Sequence, residues 1–289
     1  MGHSGLQAPL RPSDAGDDQG WNGPLAEYWA AHVHRHEAAF RHLTPRLLAA
    51  AEIAPSHAVL DVGCGGGAST LRAAEAAHAD GHALGVDVSV RLVAVARCRA
   101  AAARAGNVRF HSADAAGYPF ERGTFDRVLS QFGLEYFADP ESAFASLARA
   151  LRPGGRLAFL CWQRAEANAF HRVPLEAIAR FVPPPEPARP GAAGPFSLSD
   201  PERIRSLLRG ARFGEVRITG IEAPMWLGHS VADAADYLLS GPERRALLAA
   251  ADTAGAAEAG RALTEALAPF RGEDGVELGC AAWLVTAVH

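Results

Sequence analysis

A glycine-rich loop with a carboxylate just before it is the part of the sequence best equipped for chemistry. The loop, residues 63–67, follows a short apolar run, Ala58–Val62, that is typical of a buried strand. The Ala-rich stretch from Ala68 onward predicts a helix. A strand, a glycine loop and a helix N-terminus in this order indicate a nucleotide-type ligand site, because glycine lets the backbone approach a ligand closely.

Asp61 separates the two kinds of ligand that such a loop can take. The spacing of Gly63, Gly65 and Ala68 also satisfies a dinucleotide fingerprint, so the glycines alone do not decide. A carboxylate two residues before the first glycine would lie near the loop, where a pyrophosphate needs donors and positive charge. It favours a ligand with cationic groups, such as an ammonium or a sulfonium, over the nicotinamide dinucleotide of an oxidoreductase.

With these residues the chain resembles the class I S-adenosylmethionine-dependent methyltransferases. Their first motif has the form D-x-G-x-G-x-G, and Asp61, Gly63, Gly65 and Gly67 match it position by position. The set of motifs in order is similar to that of the ubiquinone-biosynthesis-like methyltransferases. The resemblance implies S-adenosylmethionine as the cofactor, S-adenosylhomocysteine as its product, and a methyltransferase activity (EC 2.1.1).

The resemblance also implies which residues contact the cofactor. Asp87, at the end of the second predicted strand, is placed to accept hydrogen bonds from ribose hydroxyls. Asp114, after the third strand, takes the adenine amino group, and Tyr28 closes over the cofactor from an N-terminal helix. The full predicted set is Tyr28, Asp61, Gly63, Cys64, Gly65, Gly67, Asp87, Val88, Ala113, Asp114, Ala115, Ser130, Gln131 and Phe132.

Methyl transfer from a sulfonium is an in-line displacement, so the protein mainly positions the reactants and excludes water. A base is needed only where the nucleophile arrives protonated. His171 and Glu135 are the candidates for that base; the alternatives are a packed or solvated histidine and a simple helix-start carboxylate. The residues predicted to contact the acceptor are Tyr136, Trp162, Phe170 and Trp226.

Apolar residues in the predicted cap favour a small organic acceptor methylated on oxygen, nitrogen or carbon, in specialised (natural-product) metabolism. One alternative acceptor is a peptide, held for example by its C-terminal carboxylate on Arg164, Arg172 and Arg180. Another reading is a protein that keeps the fold and binds a ligand or partner without catalysis.

The element pattern predicts an α/β protein. Five strands alternate with helices, which indicates βαβ units and a parallel sheet. The resemblance implies a doubly wound, seven-stranded, mostly parallel sheet of the Rossmann-like methyltransferase kind, with an antiparallel last strand between strands five and six and an added helical cap. One helix is predicted over 25–43, and strand six over 213–221. The expected helix starts are Thr44 as a cap, Ser89 as the cap after strand two, and Asp139 with Pro140 after strand four. The predicted divisions are a loose or disordered arm at 1–20, N-terminal lid helices at 21–57, the cofactor-binding core at 58–163, a helical cap with a proline-rich connector at 164–197, a helix and strand six at 198–227, a helical cap insertion at 228–272, and a final antiparallel strand at 273–289.

The composition argues against several kinds of partner, cofactor chemistry and metal site. The net charge of −4 and the absence of an arginine track argue against nucleic acid or a membrane as partner. All 28 basic residues are arginine, which removes Schiff-base and P-loop lysine chemistry. The four cysteines make no C-x-x-C pair, so no metal site is expected. No signal pattern is evident, and the expectation is a cytoplasmic protein with reduced thiols, a monomer or homodimer.

Overall fold

The chain is built around one mixed β-sheet, and the computed structural model describes residues 20–182 and 192–289. The strands are β1 (Ala58–Val62), β2 (His82–Asp87), β3 (Val108–Ser112), β4 (Phe125–Gln131), β5 (Leu151–Trp162), β6 (Gly214–Gly228), β7 (Arg271–Gly272) and β8 (Gly275–Val288). The helices are α1 (Pro24–Ala31), α2 (Val33–Ala39), α3 (Thr44–Ala51), α4 (Ala68–Ala77), α5 (Val90–Ala102), α6 (Pro140–Ala150), α7 (Ala169–Ile178), α8 (Pro201–Gly210), α9 (Val231–Ser240), α10 (Pro242–Ala249) and α11 (Thr253–Leu267). None of the helices in these two ranges has the length and apolar character needed to cross a membrane. The predicted arm at 1–20 and the prolines of the predicted connector fall almost entirely outside the described ranges.

The strand order is β3-β2-β1-β4-β5-β8-β6, with the two-residue β7 paired to β8. Strands β1 to β5 are parallel to their neighbours, whereas β8 is antiparallel to both β5 and β6. The predicted doubly wound, mostly parallel sheet is confirmed, including the last strand between strands five and six. Because the first strands are parallel, their carboxyl ends share one edge, and the loops that follow them meet there.

Helices cover both faces of the sheet. Successive strand residues point to opposite faces, so the fully buried Val59 packs in the layer with α3, α4 and α5. The next residue, Leu60, is also fully buried and packs in the layer with α6 and α8. A strand buried on both faces explains the continuous apolar run that precedes the glycine loop.

Strand six is longer than predicted. It continues past residue 221 to Gly228 because β6 and β8 pair with each other beyond the end of β5. The last β5 pair joins Trp162 to Ala282, while Met225 still pairs with Leu278. We call residues 222–228 and 276–281 the β6–β8 arm. Helices α7, α9 and α11 pack on one another beside it and form the cap.

The predicted single helix over 25–43 is wrong, because the chain forms α1 and α2 with a break at His32 (φ −112°, ψ 21°). The His32 ring Nδ1 lies 2.8 Å from the Tyr28 carbonyl oxygen, which also accepts from the His32 backbone N–H at 3.1 Å. A side chain that bonds nearby backbone competes with helix propagation. Thr44 was expected to cap the following helix but is its first residue, and its hydroxyl donates to the Phe40 carbonyl at 3.2 Å.

Candidate active site

The glycine loop joins β1 to α4 through three left-handed residues. Gly63, Gly65 and Gly67 have φ values of 69°, 50° and 82°, and the Cys64 side chain between them is buried. A Cβ on Gly63 would lie 2.8 Å from Cα of Gly133, so any larger residue would collide with the backbone after β4. A Cβ on Gly65 would meet nothing within 4 Å. The loop is therefore packed at its start and open at its centre, where a ligand can approach.

Asp61 lies in β1, fully buried beneath this loop. Its Oδ2 accepts from the Ser69 and Thr70 hydroxyls, each at 2.6 Å. Its Oδ1 is buried and has no hydrogen-bond partner within the described ranges. Burial raises the pKa of Asp61 to about 7, and the two hydroxyl bonds oppose this rise. A buried acceptor without a partner, beside an open loop, is suited to a ligand that donates hydrogen bonds.

Asp87 ends β2 and ties the loop to the next helix. Its Oδ2 accepts from the Gly65 backbone N–H at 2.8 Å, and its Oδ1 accepts from the Ser89 N–H at 2.9 Å. Burial raises the pKa of Asp87, while these two backbone bonds oppose the rise. Ser89 caps α5 as predicted, its hydroxyl accepting from the Leu92 N–H. Each Asp87 oxygen keeps a second lone pair that a ligand can use.

Three polar residues that hold this edge of the sheet together were not predicted from the sequence. Ser69 and Thr70 stand in the first turn of α4, and two hydroxyls following a D-x-G motif were the available signal. Asn22 donates to the Val88 carbonyl at 3.1 Å and accepts from the Val90 N–H at 2.9 Å. These two bonds hold the segment before α1 against the chain that follows β2. No local sequence pattern predicts this contact.

The ends of β3 and β4 complete the edge. The Ala113 N–H donates to the Asp87 carbonyl at 2.9 Å, and Asp114 accepts from the Ala116 N–H at 2.9 Å. Ala115, next to Asp114, is buried. The structure therefore brings the three predicted carboxylates to the carboxyl ends of three adjacent strands.

Three further predicted residues lie at the end of β4 and directly after it. The Ser130 hydroxyl donates to the Val62 carbonyl at 2.7 Å and holds β4 against the start of the glycine loop. The Gln131 Oε1 is buried with no partner in the described part of the chain. Phe132 takes a left-handed backbone (φ 59°), which a non-glycine residue rarely adopts. This conformation turns the chain sharply at the strand end.

Phe132, Trp162 and Phe170 form what we call the aromatic wall. The rings of Phe132 and Trp162 stack with centroids 3.8 Å apart and planes 7° from parallel. Trp162 and Phe170 are 4.7 Å apart, and Phe40 from the loop after α2 lies 5.2 Å from Phe132. A residue predicted for the cofactor thus adjoins two predicted for the acceptor, which places an apolar surface beside the glycine-loop edge.

Glu135 is buried at the junction of β4, β5 and the segment after residue 192. Its Oε1 accepts from the Trp162 backbone N–H at 2.9 Å, and its Oε2 is buried with no partner among the described residues. Its backbone carbonyl accepts from the Ser197 hydroxyl at 2.6 Å. Burial raises the pKa of Glu135 well above its usual range, while the bond from the Trp162 N–H opposes the rise.

His171 stands beside Phe170 in α7, half-buried, with the ring of Phe196 at 4.8 Å. Burial lowers its pKa, and the positive charge of Arg244 lowers it further. The imidazole is therefore neutral at pH 7, which is the state in which a histidine can accept a proton.

The other predicted acceptor contacts are less closely grouped. Tyr136 makes an edge contact with Trp21 at 5.1 Å, at the mouth of β4. Trp226 lies on the β6–β8 arm and pairs with Glu277, five residues along β8 from the partner of Trp162, or roughly 17 Å. Its indole N–H donates to the Asp274 carbonyl at 2.9 Å. The structure does not bring Trp226 to the aromatic wall.

Tyr28 belongs to a polar group between α1, α2 and α9 that we call the cap cluster, formed by Tyr28, His32, His36 and Tyr237. The Tyr28 hydroxyl donates to the Tyr237 carbonyl at 3.2 Å, and their rings stack at 5.7 Å. The Tyr237 hydroxyl lies 3.0 Å from His36 Nδ1. Burial lowers the pKa of His36 to about 3, with the positive charges of His32 and Arg35 adding to the effect. His36 is thus a neutral, buried partner of a tyrosine.

The three arginines suggested for a peptide carboxylate do not form a buried site. Arg164, Arg172 and Arg180 are all exposed. Arg172 pairs with Glu176 at 3.0 Å, one turn along α7, and Arg180 lies 5.9 Å from the ring of Phe181. Exposed and differently partnered, they offer no common anion pocket.

Comparison with known proteins agrees with this geometry. Residues 59–155 match the family described as methyltransferase domain. The demethylmenaquinone methyltransferase of Thermus thermophilus is 40% identical over 136 residues, which is 46% of this chain and 60% of that protein. The nocamycin O-methyltransferase of Saccharothrix syringae is 36% identical over 118 residues, covering 41% of this chain and 42% of that protein. The chain thus spans about half the length of these curated relatives.

Among solved structures, the YcgJ protein of Bacillus subtilis aligns with 86% of this chain and 98% of its own. The TM-score is 0.58 at 18% identity, which supports the fold alone. Residues 59–155 are thus similar in sequence to a methyltransferase domain, and the fold is similar to that of the YcgJ protein.

Proposed function

We propose that the protein transfers a methyl group from S-adenosylmethionine to oxygen, nitrogen or carbon of a small organic acceptor. The observation that carries this proposal is Asp61 Oδ1, a buried acceptor without a partner beside the open centre of the glycine loop. An ammonium group of the cofactor would supply the missing donor and the charge that a buried carboxylate needs.

The remaining residues at this edge suit the rest of such a ligand. Asp87 keeps lone pairs for ribose hydroxyls, and Asp114 stands one strand further along for the adenine amino group. Gln131 Oε1 is another buried acceptor without a described partner at the same edge. When bound, the cofactor supplies an electrophilic methyl carbon on a positively charged sulfur.

The chain's own contribution is to hold the acceptor in line and keep water away. The aromatic wall lies beside the cofactor edge, and positioning of this kind can lower a barrier by roughly 7–11 kcal/mol. Of the two candidate bases, His171 is neutral at pH 7 and can accept a proton, whereas burial raises the pKa of Glu135 and disfavours the ionised form that a base needs. His171 is therefore the better candidate wherever the acceptor arrives protonated.

The character of the wall supports a flat, conjugated acceptor, because aromatic rings pack well against other planar systems. A role in natural-product metabolism is in keeping with the nocamycin relative, and a quinone-like acceptor with the demethylmenaquinone relative. Mass spectrometry of products from a panel of phenols, enols, amines and peptides would identify the class.

The first test is calorimetric titration of S-adenosylhomocysteine and NADH into the wild-type protein, Asp87→Ala and the matched surface variant Asp80→Ala. We expect micromolar binding of S-adenosylhomocysteine to wild type and Asp80→Ala, a loss of at least about 30-fold in Asp87→Ala, and no binding of NADH. Binding of NADH alone would favour an oxidoreductase. Binding of neither would favour a protein that acts without catalysis.

A further inference from the structure

Arg244 is a half-buried cation that lacks the partners such a group normally has. It stands in the first turn of α10, and its Nε is buried without a hydrogen-bond partner in the described ranges. Among the described residues its terminal nitrogen reaches the Leu238 carbonyl alone, at a long 3.5 Å. No carboxylate of residues 20–182 or 192–289 lies within 4.0 Å of its guanidinium. Its place near a helix N-terminus adds an unfavourable dipole interaction.

Arg35 of α2, which also lies beside the cap cluster, provides a matched comparison. Its guanidinium lies 4.4 Å from the ring centroid of Tyr237, so it shares that neighbour with Arg244. Arg35, however, is bonded to the Asp233 carboxylate and to the Leu227 carbonyl, the latter at 3.0 Å. A buried cation is ordinarily paired in this way, because desolvating an unpaired charge is costly. The missing partner of Arg244 therefore calls for an explanation.

Arg244 lies beside two tyrosines of the cap cluster. The groups that act on its charge are Glu243, Tyr28 and Tyr237. The start of α10 faces Tyr28, since a Cβ on Gly241 would lie 3.9 Å from Cζ of that ring. Burial is the main cause that lowers the pKa of Arg244.

Two interactions connect this turn of α10 to the aromatic wall. The charge of Arg244 acts on His171, which follows Phe170 of the wall in α7. The charge of Glu243 acts on Tyr136 at the mouth of β4. The charged side chains of the first turn of α10 are thus near enough to act on α7 and on the end of β4, the two elements that border the proposed acceptor position.

We propose that Arg244 binds an anionic oxygen of the acceptor, so that the acceptor is a conjugated molecule with an acidic hydroxyl group, a phenol or an enol. This inference rests on the proposed methyltransferase function and names its substrate class. The hydroxyl proton leaves to His171 or to water, and Arg244 binds the resulting anion. The electron pair of the anion forms the oxygen–carbon bond to the methyl group as the carbon–sulfur bond breaks, and the sulfur keeps the two electrons of the broken bond. The acceptor's negative charge and the sulfonium charge are both lost, which leaves Arg244 unpaired again and favours product release.

The test uses 4-nitrophenol, whose anion absorbs visible light and whose neutral form does not. It is titrated against pH in the presence of the protein saturated with S-adenosylhomocysteine, for wild type, Arg244→Gln, Arg244→Met and Arg245→Gln. Arg245 is the matched control, an exposed arginine in the same helix that bonds the Ser240 carbonyl. The neutral methyl ether 4-nitroanisole measures binding that is independent of charge.

We expect wild type and Arg245→Gln to bind the anion at least about tenfold more tightly than either Arg244 variant, and to lower the pKa of bound 4-nitrophenol by about one unit. All four proteins should bind 4-nitroanisole alike. Equal anion binding by wild type and the Arg244 variants, or no preference of wild type for the anion, would overturn the inference. The proposed function fails separately, if wild type does not bind S-adenosylhomocysteine at all. Two variants of different polarity guard against one that does not fold.

Discussion

The cofactor edge and the cap are assembled in different ways. At the cofactor edge, Asp61 bonds hydroxyls only 8 and 9 residues away, and Asp87 bonds the glycine loop across 22. In the cap, Tyr28 and His36 bond Tyr237 across 209 and 201 residues. The residues of the first region therefore lie close together in the sequence. Those of the second region are brought together only when the chain folds.

The two regions also differ in the sign of what they leave unpaired. The cofactor edge has a buried acceptor without a described partner, Asp61 Oδ1, and the cap has a buried donor, Arg244 Nε. These opposite signs fit the proposed cationic methyl donor at the first region and the proposed anionic acceptor at the second. The comparison teaches that one site can be recognised by its motif and the other only by its missing partners.

The largest expected effect separates packing from ligand access within the glycine loop. Gly63→Ala places a Cβ 2.8 Å from Gly133 Cα at φ 69°, and should lower the free energy of unfolding by about 3 kcal/mol. Gly65→Ala, at φ 50° with nothing within 4 Å, should cost only about 1 kcal/mol but abolish S-adenosylhomocysteine binding. Urea unfolding and calorimetry measure the two quantities. Equal stability of the two variants would contradict the packing argument.

The second prediction concerns the pH dependence of cofactor binding. Asp61 must be ionised to accept an ammonium group, and its pKa is raised to about 7 by burial. The affinity for S-adenosylhomocysteine should therefore rise about tenfold per pH unit up to about pH 7 and then level off. Between pH 4 and 7 the folded protein without ligand binds more protons at Asp61 than the unfolded chain, so this residue makes stability fall as pH rises. Asp61→Asn should bind weakly with a flat profile; a sloping profile in that variant would assign the effect to another group.

The third prediction tests whether the cap is independent of the cofactor edge. Tyr237→Phe leaves His36 Nδ1 buried without its partner and should lower the free energy of unfolding by about 1–2 kcal/mol. Because burial lowers the pKa of His36 to about 3, its contribution to stability is complete above pH 6.5 and is lost as pH falls from there. Chemical unfolding at several pH values measures both effects. The affinity for S-adenosylhomocysteine should stay unchanged. A large loss of that affinity would show that the cap and the cofactor edge are energetically coupled.

The smallest effect is expected at Glu135, which lies between the regions. Glu135→Gln keeps an oxygen to accept from the Trp162 N–H, so stability should change by less than about 1 kcal/mol. Because burial raises the pKa of Glu135 and disfavours the ionised form that a base needs, methyl transfer in the acceptor panel should be retained as well. A loss of activity of about a hundredfold with stability intact would instead make Glu135 the base. Glu135→Ala, which leaves that N–H unpaired, is the control for the structural role.

Much of the fold followed from short-range patterns. The β1 bounds, the Ser89 cap and the Asp139–Pro140 start of α6 agree with prediction, because strand burial and capping depend on neighbouring residues. The N-terminal helix was predicted wrongly, since its break depends on a side-chain bond of His32 to the backbone. Strand six was predicted too short, because its last residues are held by pairing with β8 rather than by their own pattern.

The sequence by itself determined the doubly wound sheet and the carboxylates and glycines at its edge, because hydrophobic period, turn chemistry and the D-x-G-x-G-x-G spacing are local properties. Only the tertiary structure decided that Asp61 keeps one oxygen free while Ser69 and Thr70 occupy the other. It also decided that the buried Nε of Arg244 has no partner in the described ranges, whereas Arg35 has a carboxylate. Whether such a charged side chain is paired depends on the packing of segments some two hundred residues apart, which no local sequence pattern predicts.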